Sequence, residues 1–255
     1  MPWNPEIYNQ FKNIRFRPFF DLIDLISARN LQTCVDIGCG TGEQTAILAE
    51  KFENANFLGI DSSEEMLSES KKFTNEKLHF ELASIETFSE SGSKWDLIFS
   101  NAALQWSEDH YALFPKLISK VNDGGQFAVQ MPYQKENILN KLLLDLVSEK
   151  PFVDLLGGFR RDSPLLPIDD YAKIMFECGL KELNIFLKVY PIIAKSEMEL
   201  YDFISGSALI PYLEKLNEEG QALFKSEFIK RIKKQFRTFP AIYAFKRILL
   251  YGIKK

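Results

Sequence analysis

Histidine and cysteine are scarce in this chain, which holds two of the first and three of the second. With His79 and His110 alone, a metal centre built on several imidazoles is unavailable, so no metal is expected. Cys34, Cys39 and Cys178 are too few and too scattered for a disulfide framework or a zinc ribbon. Cys34 and Cys39 flank a strand and its loop and read as small core-filling thiols; a Cys–His nucleophilic pair is the reactive use that composition leaves them. An excess of positive charge is also missing. The formal net charge of -4 and pI near 5.5 exclude a non-specific nucleic-acid binder, which needs a basic face over much of its surface. In the basic stretch FIKRIKKQFR, Lys230, Lys233, Lys234 and Arg237 recur at helical spacing opposite Phe228, Ile229, Ile232 and Phe236, the pattern of a solvated helix face. No run approaches the roughly 20 apolar residues that span a bilayer. The opening MPWNPEIYNQ has neither the basic nor the apolar region of a secretory signal. The expectation is a cytoplasmic protein with no membrane partner.

What is present is a large hydrophobic fraction, 46% of 255 residues, ample for one large α/β domain. PEIYNQFKNIRFRPFFDLIDLISA reads as helical segments interrupted near Pro18. Strands and helices then alternate: CVDIG, NFLGIDS, LHFELAS, WDLIFSNAA and GQFAVQMP are strands, while GEQTAILAEKF, EEMLSESKKF and ALFPKLISKV are helices. Such alternation implies right-handed crossovers and a mainly parallel sheet. Beyond Pro132 the rhythm loosens into helices at about 135–148 and 169–178, the strand KELNIFLKVY, and a final strand RILLYGIKK. Between those two strands lies a helical insertion, 195–240, where Ser196 and Glu199 have the spacing of a helix cap. The insertion suits a lid, a substrate wall or structural padding equally well.

The sharpest local signal is VDIGCGTGEQT, residues 35–45, with glycines at 38, 40 and 42 between a strand and a helix. Missing side chains let a ligand approach the backbone, and the helix start would aim N–H groups at it. No Lys-Ser/Thr follows, which rules out a Walker A loop, and the G-x-G-x-G spacing differs from the G-x-G-x-x-G of nicotinamide sites. Asp36 precedes the glycines where a carboxylate would oppose a pyrophosphate and favour a cation. Asp61, nineteen residues beyond Gly42, closes the second strand where an acidic side chain can bind ribose hydroxyls. Each carboxylate alone could be a strand-end or capping residue, with Ser62 or Ser63 capping the next helix. Together they fit a nucleoside with a cationic tail.

On VDIGCGTG and GIDSS the chain resembles the class I S-adenosylmethionine-dependent methyltransferases. WNPEIYNQFKNIRFRP, SNAALQWSEDHYALFPKL, GGQFAVQMP and LIPYLEKLNEEGQALF extend the resemblance, over nearly the whole chain, to the trans-aconitate 2-methyltransferase family. It implies a single domain, 1–255, with a Rossmann-like, mostly parallel seven-stranded sheet and an antiparallel last strand. Within it, 1–30 would form an N-terminal helical cap, 31–132 the cofactor-binding core and 195–240 a substrate-side insertion. The cofactor would be S-adenosyl-L-methionine, leaving as S-adenosyl-L-homocysteine. Gly38, Gly40 and Gly42 would lie against its methionine half, Asp36 near its ammonium and Asp61 on the ribose. Met66 would pack on adenine or simply in the core. Ser62, Ser84, Ile85, Asn101, Gln105 and Arg17 complete the implied cofactor set. Ser84 stands where the family has an aspartate for the adenine amino group, and Glu86 lies two residues on.

The resemblance also implies a small-molecule acceptor, a carboxylic acid, bound by Trp3, Tyr8, Arg15, Trp106, Arg160, Arg161 and Tyr190. Trp106 and Asn101 would position the reactants, with no general base required; Trp106 could equally seal the top of the sheet. Two family features are missing: Ile210 replaces an arginine, and VYPII replaces a segment with a histidine. Two other uses stay open. One is methylation of an acyl-carrier-protein thioester, with 230–237 as basic docking surface; the other is adenosylmethionine binding without catalysis.

Overall fold

The computed structural model describes residues 12–255, with side chains from Phe16 onward. Its first half runs α1 (Lys12–Ile23), β1 (Thr33–Ile37), α2 (Glu43–Lys51), β2 (Asn56–Asp61), α3 (Glu64–Ser70), β3 (Leu78–Leu82), α4 (Ile85–Glu90), β4 (Trp95–Asn101), α5 (His110–Ser119) and β5 (Val121–Pro132). The second half runs α6 (Ile138–Val147), α7 (Phe152–Leu155), α8 (Ile168–Glu177), β6 (Leu180–Ala194), α9 (Glu197–Ser205), α10 (Ile210–Leu213), α11 (Glu218–Gln235) and β7 (Ala241–Lys254). The strands form one seven-stranded sheet in the order β3-β2-β1-β4-β5-β7-β6. β3, β2, β1, β4 and β5 pair in parallel, and β7 runs antiparallel to β5.

The central strands carry near-continuous apolar runs because both their faces are covered. Cys34, Val35 and Ile37 of β1 and Leu97, Ile98 and Phe99 of β4 are fully buried. Strand order reverses between β1 and β4, so the crevice beyond their carboxyl ends is the topological switch point where open α/β sheets take ligands. The VDIGCGTG loop leaves β1 at that place.

Several elements differ from their sequence expectation: β5 and β7 begin earlier, at Val121 and Ala241, α7 is additional, and three further differences have a physical reason. α1 is not interrupted at Pro18 but continues through it, since Phe19 and Leu22 are fully buried and Ile23 nearly so. Burial of that face outweighs the one backbone hydrogen bond that proline removes. β3 stops at Leu82, and the residues after it form the additional helix α4, with Ser84 Oγ accepting from Thr87 N at 3.1 Å as its cap. β6 runs four residues past Tyr190, through Pro191, which an edge strand tolerates because one side of its ladder is unpaired.

Contacts gather the described residues into two compact units. One holds Tyr133–Ser163 and Val189–Lys246, the other Pro18–Pro132, Pro164–Lys188 and Arg247–Lys255. The first has its own core, in which Leu139, Leu200, Leu209, Phe224, Phe228 and Ile232 are fully buried. Its helices are α6 and α7 together with α9 to α11, the last three of which fall in the expected insertion. At the start of α9, Ser196 Oγ accepts from Glu199 N at 3.3 Å and Glu199 Oε2 accepts from Lys195 N at 2.8 Å. No helix among the described residues is long and apolar enough to cross a membrane.

Candidate active site

The three glycines of the loop all have left-handed backbones, with φ of 76°, 56° and 75° at Gly38, Gly40 and Gly42. Their missing side chains serve different ends. A Cβ at Gly38 would fall 2.1 Å from Ala103 Cβ, and one at Gly42 would meet Ser70 and Phe80 within 2.8 Å. At Gly40 a Cβ would meet nothing within 4 Å. The backbone is therefore open to a ligand at Gly40, while its neighbours are small for the protein's own packing. Four N–H groups of the loop itself are turned inward, whereas the sequence expectation concerned those at the start of α2. Gly38 N and Cys39 N donate to Ile60 O at 2.8 and 2.9 Å, Gly40 N to Asp61 Oδ2 at 2.9 Å and Gly42 N to Cys39 O at 3.1 Å. At those four positions the loop offers no free amide to a ligand, and its open space lies at Gly40.

Asp61 is half-buried and ties this loop to β2. Its Oδ1 accepts from Ser63 N at 2.9 Å while Oδ2 holds Gly40, and each carboxylate oxygen retains acceptor capacity. Ser63, not Ser62, caps α3, accepting from Met66 N at 3.3 Å; Ser62 is exposed and Met66 half-buried. Ser84 is committed to the α4 cap and Ile85 is half-buried beside it. Glu86 accepts from Ser107 Oγ at 3.0 Å; its own backbone N–H, then Ser107 and Ser84, hold its carboxyl below the usual range against the opposing effect of burial.

Asp36 is 3% exposed and accepts from Thr45 Oγ1 at 2.6 Å. Burial pushes its pKa up to about 7, with the charge of Asp61 adding to the rise and the Thr45 hydroxyl opposing it. At the end of β4, Asn101 belongs to a polar chain. Arg247 Nη1 donates to Gln130 Oε1 at 2.8 Å, Gln130 Nε2 to Asn101 Oδ1 at 2.5 Å, and Asn101 Nδ2 to Gln44 Oε1 at 2.8 Å. The next residue, Ala102, has φ of 58°. Gln105 is buried, and its Nε2 donates to Ala102 O at 2.6 Å. Its Oε1 accepts no hydrogen bond among the described residues. Trp106 is 40% exposed.

The second histidine is structural. His110 is fully buried between Tyr171 OH on Nδ1 at 2.5 Å and Leu104 O on Nε2 at 3.0 Å. Burial raises the Cys34 and Cys39 thiols well above their ordinary values, so neither is an activated nucleophile. Of the implied acceptor residues, Tyr190 is buried in the core of the first unit, and Arg160 and Arg161 are exposed. Arg17 is exposed on α1. Trp3, Tyr8 and the side chain of Arg15 lie outside the described residues.

Residues 29–154 match a family described as a methyltransferase domain. The trans-aconitate 2-methyltransferase of Deinococcus radiodurans is 38% identical over 260 residues, covering 100% of this chain and 99% of that protein. The chain belongs to the trans-aconitate 2-methyltransferase family. It is an S-adenosylmethionine-dependent methyltransferase. Solved structures agree on the fold: the YcgJ protein of Bacillus subtilis superposes with a TM-score of 0.60 at 17% identity, over 93% of this chain and 98% of that one. The plantazolicin methyltransferase BpumL, determined with S-adenosylhomocysteine, does so with a TM-score of 0.52 at 16% identity, over 100% and 92%.

Family membership settles the choice among the three glycine-loop readings for S-adenosylmethionine. The residues present suit that group: free space at Gly40, acceptor capacity on Asp61, and a buried acceptor on Gln105 that nothing else among the described residues engages. Sequence reading missed Thr45, Gln44, Gln130 and Arg247. Thr45 lies nine residues from Asp36, and helix periodicity from the glycine loop could have drawn attention to it; the other three carry no local signal.

Proposed function

We propose that this methyltransferase esterifies a carboxylate of a small acid that is less highly charged than trans-aconitate. The observation that carries the acceptor reading is the state of Arg160. Its guanidinium donates from Nε and Nη2 to Asp162 Oδ1 at 3.0 and 2.9 Å, and from Nη1 to Ser148 Oγ at 3.0 Å. Binding of polycarboxylates favours a bidentate fork, and this one already has partners. Ile210, half-buried at the start of α10, and Ile192 and Ile193 of β6 stand where polar contacts are expected from the family. Leaving a buried carboxylate without a cation costs about 3 to 5 kcal/mol, which favours acceptors with fewer charges.

S-adenosylmethionine, when bound, supplies a methyl group already activated on a sulfonium. Asp61 is assigned to the ribose hydroxyls, Asp36 to the ammonium, and Gly38, Gly40 and Gly42 to the methionine half. Ser62, Met66, Ser84 and Ile85 fall to the adenosine side, and Asn101, Gln105 and Arg17 to the amino-acid side. The remaining work of the chain is alignment: an in-line displacement needs nucleophile, methyl and sulfur held on one axis. Asn101 and Trp106 are the positioning candidates. A carboxylate acceptor is ionised at neutral pH, so no base is required, in keeping with a His110 whose two nitrogens are both engaged. The carrier-protein alternative is weaker, since Lys230 and Arg231 of the basic stretch are paired with Glu227 and Glu149.

Mass-spectrometric detection of methyl esters across a matched panel of acids tests the reading. Mono- and dicarboxylic acids with apolar chains should give higher kcat/KM than trans-aconitate. Turnover of trans-aconitate equal to or above that of every other acid sinks the proposal.

A further inference from the structure

The polar chain from Arg247 to Gln44 has a direction, set by a side chain that can only donate. A guanidinium has no acceptor atom, so its bond to Gln130 fixes Oε1 of that amide on the Arg247 side. Gln130 must then donate from Nε2 to Asn101, and Asn101 from Nδ2 to Gln44. Every amide in the series turns its oxygen toward the arginine. At the far end, Gln44 accepts through Oε1 and is left with its amide hydrogens pointing onward. Gln130 is fully buried and Gln44 half-buried, so the series runs from the interior to the glycine loop.

We propose that the Gln44 amide N–H binds the carboxylate of the cofactor's α-amino acid, and that Gln130 and Arg247 are positioning residues that hold it with its donor outward. This rests on the reading that Asp36 faces the ammonium of the same group. An α-amino acid carries both charges on one carbon, so its recognition needs an acceptor and a donor side by side. Thr45, whose hydroxyl holds Asp36, belongs to the same first turn of α2 as Gln44, so the acceptor and the donor are both tied to that end of the helix. Gln44 also lies in the first turn of the nine-residue helix α2, where the helix dipole favours an anion. With the amides reversed, Gln44 would present a carbonyl oxygen to a carboxylate and repel it.

Two variants and two ligands test this by calorimetry. S-adenosylhomocysteine carries the amino acid; 5′-methylthioadenosine has the same nucleoside without it. Gln44→Met should weaken S-adenosylhomocysteine about tenfold, the worth of one hydrogen bond to a charged group, and change 5′-methylthioadenosine by less than about twofold. Gln130→Glu puts an acceptor on both neighbours, which turns Asn101 and then Gln44 around. It should reproduce the selective loss from a position that no ligand touches, and if it does not fold, Gln44→Met decides alone. Equal weakening of both ligands in Gln44→Met, or unchanged binding of S-adenosylhomocysteine, overturns the proposal. A wild type that binds neither ligand overturns the cofactor assignment beneath it.

Discussion

Gly38 and Gly40 share a left-handed backbone yet should be destabilised to different degrees by an added methyl. At Gly38 the new Cβ would sit 2.1 Å from Ala103 Cβ, and strain plus overpacking cost roughly 3 kcal/mol or more. Gly38→Ala should therefore show a large fall in melting temperature. Gly40→Ala meets open space, so it should cost only the roughly 1 to 2 kcal/mol of a left-handed alanine and remain folded while losing cofactor affinity. Calorimetry and thermal unfolding on the pair separate the roles; equal melting temperatures would refute them. Asp36 adds a pH dependence. With its pKa raised from 3.8 to about 7 in the folded chain, the folded state holds the extra proton between those values, so ligand-free stability falls as pH rises through that window. An ammonium placed beside Asp36 favours the carboxylate, so cofactor binding at pH 6 should release about one proton and tighten toward pH 8. Binding enthalpies compared in phosphate and Bis-Tris at pH 6 measure that release, and an Asp36→Asn protein that releases the same number removes Asp36 from the account. The glycines and the two aspartates were legible from spacing alone because strand, turn and helix are consecutive. Gln44, Asn101, Gln130 and Arg247 were not legible as a set, since their bonds join residues 57, 29 and 117 apart in sequence.

At the scale of elements, buried polar side chains lock helices that hydrophobic periodicity merely locates. Tyr171 of α8 is fully buried, and its hydroxyl meets His110 of α5 at 2.5 Å and accepts from Leu166 N at 3.2 Å. Tyr171→Phe removes one atom and strips both groups of that partner, at about 2 to 4 kcal/mol if each desolvation cost is only partly relieved. Urea denaturation should show that loss, while the folded variant binds S-adenosylhomocysteine like the wild type. A stability change under about 0.5 kcal/mol would mean that water takes over the role of the hydroxyl. The same scale explains the misread boundaries. The central strands announced themselves as apolar runs, but LHFELAS blurred the end of β3 into a six-residue helix whose start is marked by Ser84 alone. Pro18 looked like a breaker because sequence records the missing N–H and not the burial of Phe19 and Leu22 that overrides it.

For the whole molecule, composition promised enough apolar residues for a core but not how the chain divides them. The insertion read equally well as lid, wall or padding; its longest helix answers with Phe224, Phe228 and Ile232, fully buried four residues apart along one face of α11. These side chains build the interior of a unit that also takes Leu139 from α6 and Phe152 from α7, the latter ring lying 5.1 Å from that of Phe224. A segment that forms a core is not a removable flap. Phe228→Ala should accordingly cost about 3 to 5 kcal/mol, the range for emptying a buried aromatic site. The glycine loop, Asp36, Asp61 and the Gln44 amide all belong to the other unit. Phe228 packs in the core of its own unit, so the folded variant should bind S-adenosylhomocysteine within about twofold of wild type, a difference under about 0.5 kcal/mol. Denaturant titration followed by calorimetry at low temperature measures both quantities on one preparation. A tenfold loss of affinity alongside the loss of stability would show that the two units respond as a single cooperative body, and the division of labour between them would have to be abandoned.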